Sequence, residues 1–192
     1  MPSTPASPAD ATQETAIANP APLGLCAFAL TTFVLSAANA GLYDDPHIVI
    51  GLALFYGGLA QLLAGMWEFK AGNTFGATAF SSYGAFWMAF GISLQLKDIP
   101  PGGAIAYFLL GWTIFTFVML LASFKTTNAL ILLFLLLLIT FAVLTIGAFG
   151  IAVGHVGGYL GIATALVAWY AALAGLLTAT KSGFTLPVGP RS

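Results

Sequence analysis

The chain has 192 residues, 59% of them hydrophobic and only 6% charged, with a formal net charge of -1. A water-soluble domain carries roughly a quarter charged residues, so water is not the main solvent of this protein. The lack of any basic block leaves nothing for nucleic acid to bind. The apolar residues run in stretches of about 20, the length that crosses a bilayer core of about 30 Å, so the lipid bilayer is the expected surrounding.

The first 18 residues are rich in Pro, Ser, Thr and Ala and contain no Lys or Arg. They lack the basic start and apolar core of a cleaved leader and read as a disordered tail, 1–18. Six apolar runs follow, at 22–41, 48–67, 75–96, 104–123, 129–151 and 156–178. They predict an all-α membrane protein, a bundle of six transmembrane helices over 19–180 with a tail at 181–192. The first four breaks carry charge or helix breakers, as in Tyr43-Asp44-Asp45-Pro46-His47 and Lys97-Asp98-Ile99-Pro100-Pro101. The fifth, around Gly154-His155, has neither Pro nor fixed charge. The stretch 129–178 is nevertheless too long for one helix at about 1.5 Å per residue.

Six spans put the N-terminus, the second and fourth loops and the C-terminus on one side, with Lys70, Lys125, Lys181 and Arg191, against Lys97 alone on the other. The positive-inside rule then makes both termini cytoplasmic in a multi-pass protein of the cell membrane.

Small residues every fourth position allow close helix approach in lipid. Gly157, Gly161 and Ala165 form such a row in the sixth span, Gly150 and Gly154 a shorter one at the fifth break, and Gly57 and Gly65 flank Gln61. Cys26 sits alone in an apolar run and reads as a packing residue, so neither a disulfide nor a cysteine metal site is expected. The fifth span, with its apolar core at 130–138, is expected to face lipid or another apolar helix and offers no wet path by itself. The first three spans hold Thr31, Thr32, Ser36, Asn39, Gln61, Thr78, Ser81, Ser82 and Tyr83. Polar groups at membrane depth turn away from lipid, so any solute path is expected along these three helices. With no charge near mid-membrane, the lining suits a small solute having one polar and one apolar end rather than a hydrated inorganic ion.

The first span opens with Asn19-Pro20-Ala21-Pro22-Leu23-Gly24-Leu25. Two readings stand side by side: a helix cap followed by proline at the first turn, or a helix N-terminus whose partial positive charge attracts a carboxylate. This string, with Phe28 and Thr31-Thr32, resembles the signature of the acetate uptake transporter family, whose bacterial members are called succinate–acetate permeases. The match continues through Phe55-Tyr56-Gly57-Gly58-Leu59-Ala60-Gln61, Glu68, Gly72-Asn73-Thr74-Phe75-Gly76 and Thr78 to Trp87. The resemblance implies a homohexamer in which each protomer has its own pore for acetate and sometimes succinate, proton-linked or channel-like.

It also implies a narrow constriction of Phe28, Tyr83 and Leu137, the last inside a leucine run where the register is less firmly fixed. Asn19, Pro20, Thr31, Thr32, Asn39, Tyr56, Gln61 and Trp87 make up the expected substrate path, and Glu68, by its own position at the cytoplasmic rim, is a candidate for proton coupling. Beyond Lys97 the match rests mainly on hydrophobicity and scattered Gly, His and Tyr positions. No cofactor or metal is expected, and no enzyme: neither Gly-x-Ser-Gly nor His-Glu-x-x-His occurs. The alternative is a non-transporting sensor or assembly protein on the same scaffold.

Overall fold

The computed structural model describes residues 17–45, 47–96 and 103–190. Most of the expected N-terminal tail, the Lys97 loop and Arg191 lie outside them. Six long helices occupy the described residues: α1 (Ala21–Asn39), α2 (His47–Lys70), α3 (Thr74–Leu96), α4 (Gly103–Ser123), α5 (Asn128–Ala148) and α6 (Gly154–Ala179). All but α3 are long and apolar enough to cross a membrane. The 23 residues of α3 are long enough too, but Thr78, Ser81, Ser82 and Tyr83 dilute its hydropathy. A helix packed among other helices needs less apolar coat than one facing lipid.

Helix ends explain the breaks. α1, α2 and α5 stop at Gly41, Gly72 and Gly150, which take positive φ of 75°, 76° and 101°, and α6 stops at Lys181 with φ 52°. At α6 the Lys181 N–H donates to the Thr178 carbonyl at 3.2 Å and the Ser182 N–H to Leu177 at 3.0 Å, the paired closing bonds of a left-handed helix stop. Gly150 therefore makes the fifth break, where neither charge nor proline marks it. This corrects the expected packing row of Gly150 and Gly154: the first is a turn residue, and a Cβ on the second would meet open space.

The other small-residue rows are contacts within this chain. A Cβ on Gly157 would press on Leu144 of α5, one on Gly57 on Thr31 of α1, and one on Gly65 on Ser81 of α3. α1 packs most extensively on α6. The middle of α2, Leu52–Ala60, is π-helical. Such wide turns are rare and concentrate at functional positions, and this one sets the rotation at which Gln61 emerges.

The last described segment folds back on the bundle. Tyr170 donates to the Pro187 carbonyl at 2.7 Å, while the Asn128 and Ala129 N–H groups donate to Gly189 and Val188 carbonyls at 2.9 and 3.1 Å. Leu130 N–H reaches Thr127 Oγ1 at 3.2 Å and Ile131 N–H the Thr127 carbonyl at 3.0 Å. The three free donors of the first turn of α5, on Asn128, Ala129 and Leu130, are thereby satisfied, and the Ile131 bond begins the helix ladder. Thr127→Ala removes one of these acceptors, and a loss of about 1 kcal/mol is expected, read as a lower denaturation midpoint.

Candidate functional site

Two cavities lie in line along the bundle. The near chamber, at the end where Asn19 and the C-terminal segment meet, holds about 70 Å³. Its walls come from α1 (Leu25, Phe28), α2 (Gln61), the α2–α3 turn and α3 (Asn73, Phe75, Phe80, Tyr83) and α5 (Leu130, Leu133, Phe134, Leu137). The far chamber holds about 220 Å³, between Thr32, Ser36 and Asn39 of α1, Phe86, Trp87 and Phe90 of α3, Ile105 and Leu109 of α4, and Thr140, Phe141 and Leu144 of α5. Each exceeds the share of liquid volume of one water, about 30 Å³. Phe28 and Leu137 line both chambers, and Tyr83 lines the near one.

The Tyr83 ring lies 6.0 Å from that of Phe28 and is hemmed by Trp112, Phe115 and Phe134 at 5.9, 5.3 and 6.3 Å. Its phenol oxygen is 2.9 Å from Thr116 Oγ1. Thr116 gives its own proton to the Trp112 carbonyl at 2.7 Å, so Tyr83 is the donor of the pair. The phenol is thus tied sideways to α4, leaving the ring to face the neck. Tyr83→Phe keeps the ring and leaves Thr116 bonded to Trp112, so a stability loss of about 1 kcal/mol is expected without a change in which solutes pass. Denaturation midpoints and solute flux measured on one preparation check both halves.

The remaining expected residues divide. Gln61 lines the near chamber, and Thr32, Asn39 and Trp87 the far one. Thr32 Oγ1, Gln61 Oε1 and Trp87 Nε1 are buried without a partner. Asn19 lines a third, wider hollow of about 410 Å³ with Thr127, Thr178, Leu186 and Val188; it shares Ala21, Leu25 and Leu130 with the near chamber and forms its forecourt. Thr31 is fully buried, donates to the Ala27 carbonyl at 2.9 Å and packs on Gly57, away from both chambers. Tyr56 is half-buried on α2 and lines neither chamber, and Pro20 precedes the first turn of α1.

The start of α1 favours the capping account. Asn19 Oδ1 accepts the Ala21 N–H at 3.0 Å, Pro22 has no N–H, and the Gly24 N–H reaches the Pro20 carbonyl at 3.2 Å. Few donors are left to meet an arriving anion.

Beside the first three spans, along which a solute path was expected, α5 walls both chambers. Leu130, Leu133, Phe134, Leu137, Thr140, Phe141 and Leu144 recur at three- and four-residue spacing and so share one face. An apolar solute end needs a dry wall, which is what this face supplies. Sequence reasoning also missed the hydroxyls of the later helices: Thr113 meets Thr145 at 3.1 Å and Thr140 meets Thr164 at 3.3 Å. The signal was present, since Thr140 and Thr145 interrupt an otherwise apolar run.

The six-helix bundle thus holds two chambers that meet at a neck of Phe28 and Leu137. The chain matches the GPR1/FUN34/yaaH family over residues 3–191 and belongs to that family. It is 48% identical to acetate permease A of Emericella nidulans, with 89% of this chain aligned and 65% of the relative's length spanned. It is 38% identical to the succinate-acetate/proton symporter SatP of Escherichia coli K12, covering 91% of this chain and 97% of that protein. The structure of the bacterial acetate channel SatP superposes with a TM-score of 0.86 at 38% identity, over 90% of this chain and 99% of that one.

Proposed function

We propose that the chain conducts acetate and related small carboxylates, succinate among them, across the cell membrane, with both termini cytoplasmic and six identical subunits each holding a complete passage. The observation that carries this reading is the pair of aligned chambers meeting at Phe28 and Leu137. A methyl group slides along this apolar neck, while the amides and hydroxyls of Gln61, Asn73, Thr32, Asn39 and Thr140 stand on either side of it for the carboxyl end. The names of the relatives support the substrate class, and the side walls from one chain support one passage per subunit.

The test is uptake of radiolabelled acetate into proteoliposomes, with and without an inward proton gradient, against formate, propionate, lactate and succinate. Saturable acetate flux above protein-free vesicles is expected; no flux of any of these acids overturns the reading. For orientation, a reporter fused after Ser192 is expected to be active inside the cell, and activity only outside reverses it.

A further inference from the structure

Glu68 plays no part in the passage as drawn so far, yet it is 1% exposed near the end of α2. One carboxyl oxygen accepts the Asn73 side-chain N–H at 2.7 Å; the other, Oε1, is buried without a partner. Asn73 is fixed from its other end as well, its Oδ1 accepting the Gly76 N–H at 3.1 Å. Asn73 and Gly76 both line the near chamber. A Cβ on Gly76 would come within 2.8 Å of the Glu68 carboxyl carbon, so a bare glycine and one amide group separate this carboxyl from the chamber. An ionisable side chain held inside a membrane bundle marks a site of ion or proton handling more often than a structural one.

No fixed charge answers it from the packed helices. The segments 21–39, 74–96, 103–123 and 128–148 contain no Asp, Glu, Lys, Arg or His. On its own helix, Lys70 is exposed and His47 lies at the opposite end; Lys125 follows α4 on the same end as Glu68, and His155 starts α6 at the far end. Tyr83, the titratable group of α3, is tied to Thr116. Asn73 retains a second amide hydrogen, which a solute carboxylate in the near chamber can accept. Two carboxylates sharing one amide in a water-poor wall repel each other, and a proton on one relieves the repulsion.

We propose that Glu68 is the proton-linked group of this passage: it takes a proton on Oε1 when a carboxylate occupies the near chamber beside Asn73, and releases it when the chamber empties. The inference rests on the chambers being a carboxylate passage. Hydronium in the water at the near end gives up the proton, its O–H bond breaking as one forms on Glu68 Oε1; the solute keeps its charge, and on release the Glu68 O–H bond breaks and the proton returns to water. Asn73 is the positioning residue that joins the two carboxyl groups.

The test is acetate KM in proteoliposomes from about pH 6 to about pH 8, with protein-free flux subtracted, for wild type and Glu68→Gln. The glutamine keeps the shape and still accepts from Asn73. Wild-type KM is expected to rise toward about tenfold per pH unit, and the Glu68→Gln slope to be flat, because linkage of one proton to one ligand has that limiting slope. In weakly buffered purified protein, acetate binding takes up about one proton in wild type and none in the variant.

A Glu68→Gln protein that keeps the wild-type slope and proton uptake overturns the proposal, since the proton then travels on the solute or another group. If this variant does not fold, Asn73→Leu, which leaves Glu68 in place but cuts the amide link, is expected to lose the proton uptake; keeping it overturns the proposal equally. Absence of acetate flux in wild type fells the passage itself, a separate result from a pH slope indifferent to Glu68.

Discussion

Gly158→Ala is expected to destabilise the bundle by about 3 kcal/mol, the upper end of the usual overpacking penalty. Gly158 lies where α6 crosses the end of α1. A Cβ there would sit 2.6 Å from the Asn39 carbonyl carbon and 2.7 Å from the Ala40 Cα. Those are backbone atoms of a helix end already held by Leu42 N–H on the Ala37 carbonyl at 3.0 Å, so no flexible side chain can yield. The helices must move apart along their whole contact, and α1 carries Phe28, Thr32 and Asn39 into the chambers. Flux is therefore expected to fall together with stability. Gly154→Ala is the control, because its Cβ would meet open space four residues earlier on the same helix. Denaturation midpoints in detergent check the pair: a large drop for Gly158→Ala and little change for Gly154→Ala. Equal drops would place the cost outside the crossing, since alanine is the better helix former of the two and propensity favours both variants.

How much of this was legible in the sequence differs by physical cause. The helices were readable because long apolar runs alternate with charges and breakers, and the bilayer allows few other arrangements of such runs. Gly57, Gly65 and Gly161 were legible as contact points, since a small residue on a membrane helix has little other use there. The wide turns of Leu52–Ala60 were not, because nothing in Leu-Ala-Leu-Phe-Tyr distinguishes them from an ordinary helix. Which face of α5 meets the cavities was hidden for the same reason: a helix apolar all round has no periodic stripe to orient it. Phe28, Tyr83 and Leu137 came from resemblance, and composition alone gave no ground for separating Leu137 from Leu136 or Leu138. Glu68 and Asn73 are five residues apart across a turn, and their pairing depends on the left-handed stop at Gly72, which a one-dimensional reading does not resolve.

Leu137→Ala is expected to change which acids pass. Leu137 is 4% exposed and, with Phe28, stands between the two chambers. Trimming it to Cβ removes three carbons from a wall that both cavities share, joining spaces of about 70 and 220 Å³ into one. A hydrophobic pocket discriminates about 1–3 kcal/mol per methylene, so flux of propionate and longer acids relative to acetate is expected to rise about tenfold or more. Stability falls as well, since a buried leucine cut to alanine costs about 2–5 kcal/mol; the low end applies here because cavities already flank the site and the new space opens into them. Leu133→Ala separates the two effects. Leu133 lines the near chamber alone, one turn away on the same face, so its removal shares the stability loss but leaves the neck closed. Competition of unlabelled acids against labelled acetate, run on both variants, reads the difference. Selectivity that changes alike in Leu133→Ala and Leu137→Ala would mean that the chamber volume, and not the neck, sets which acids pass.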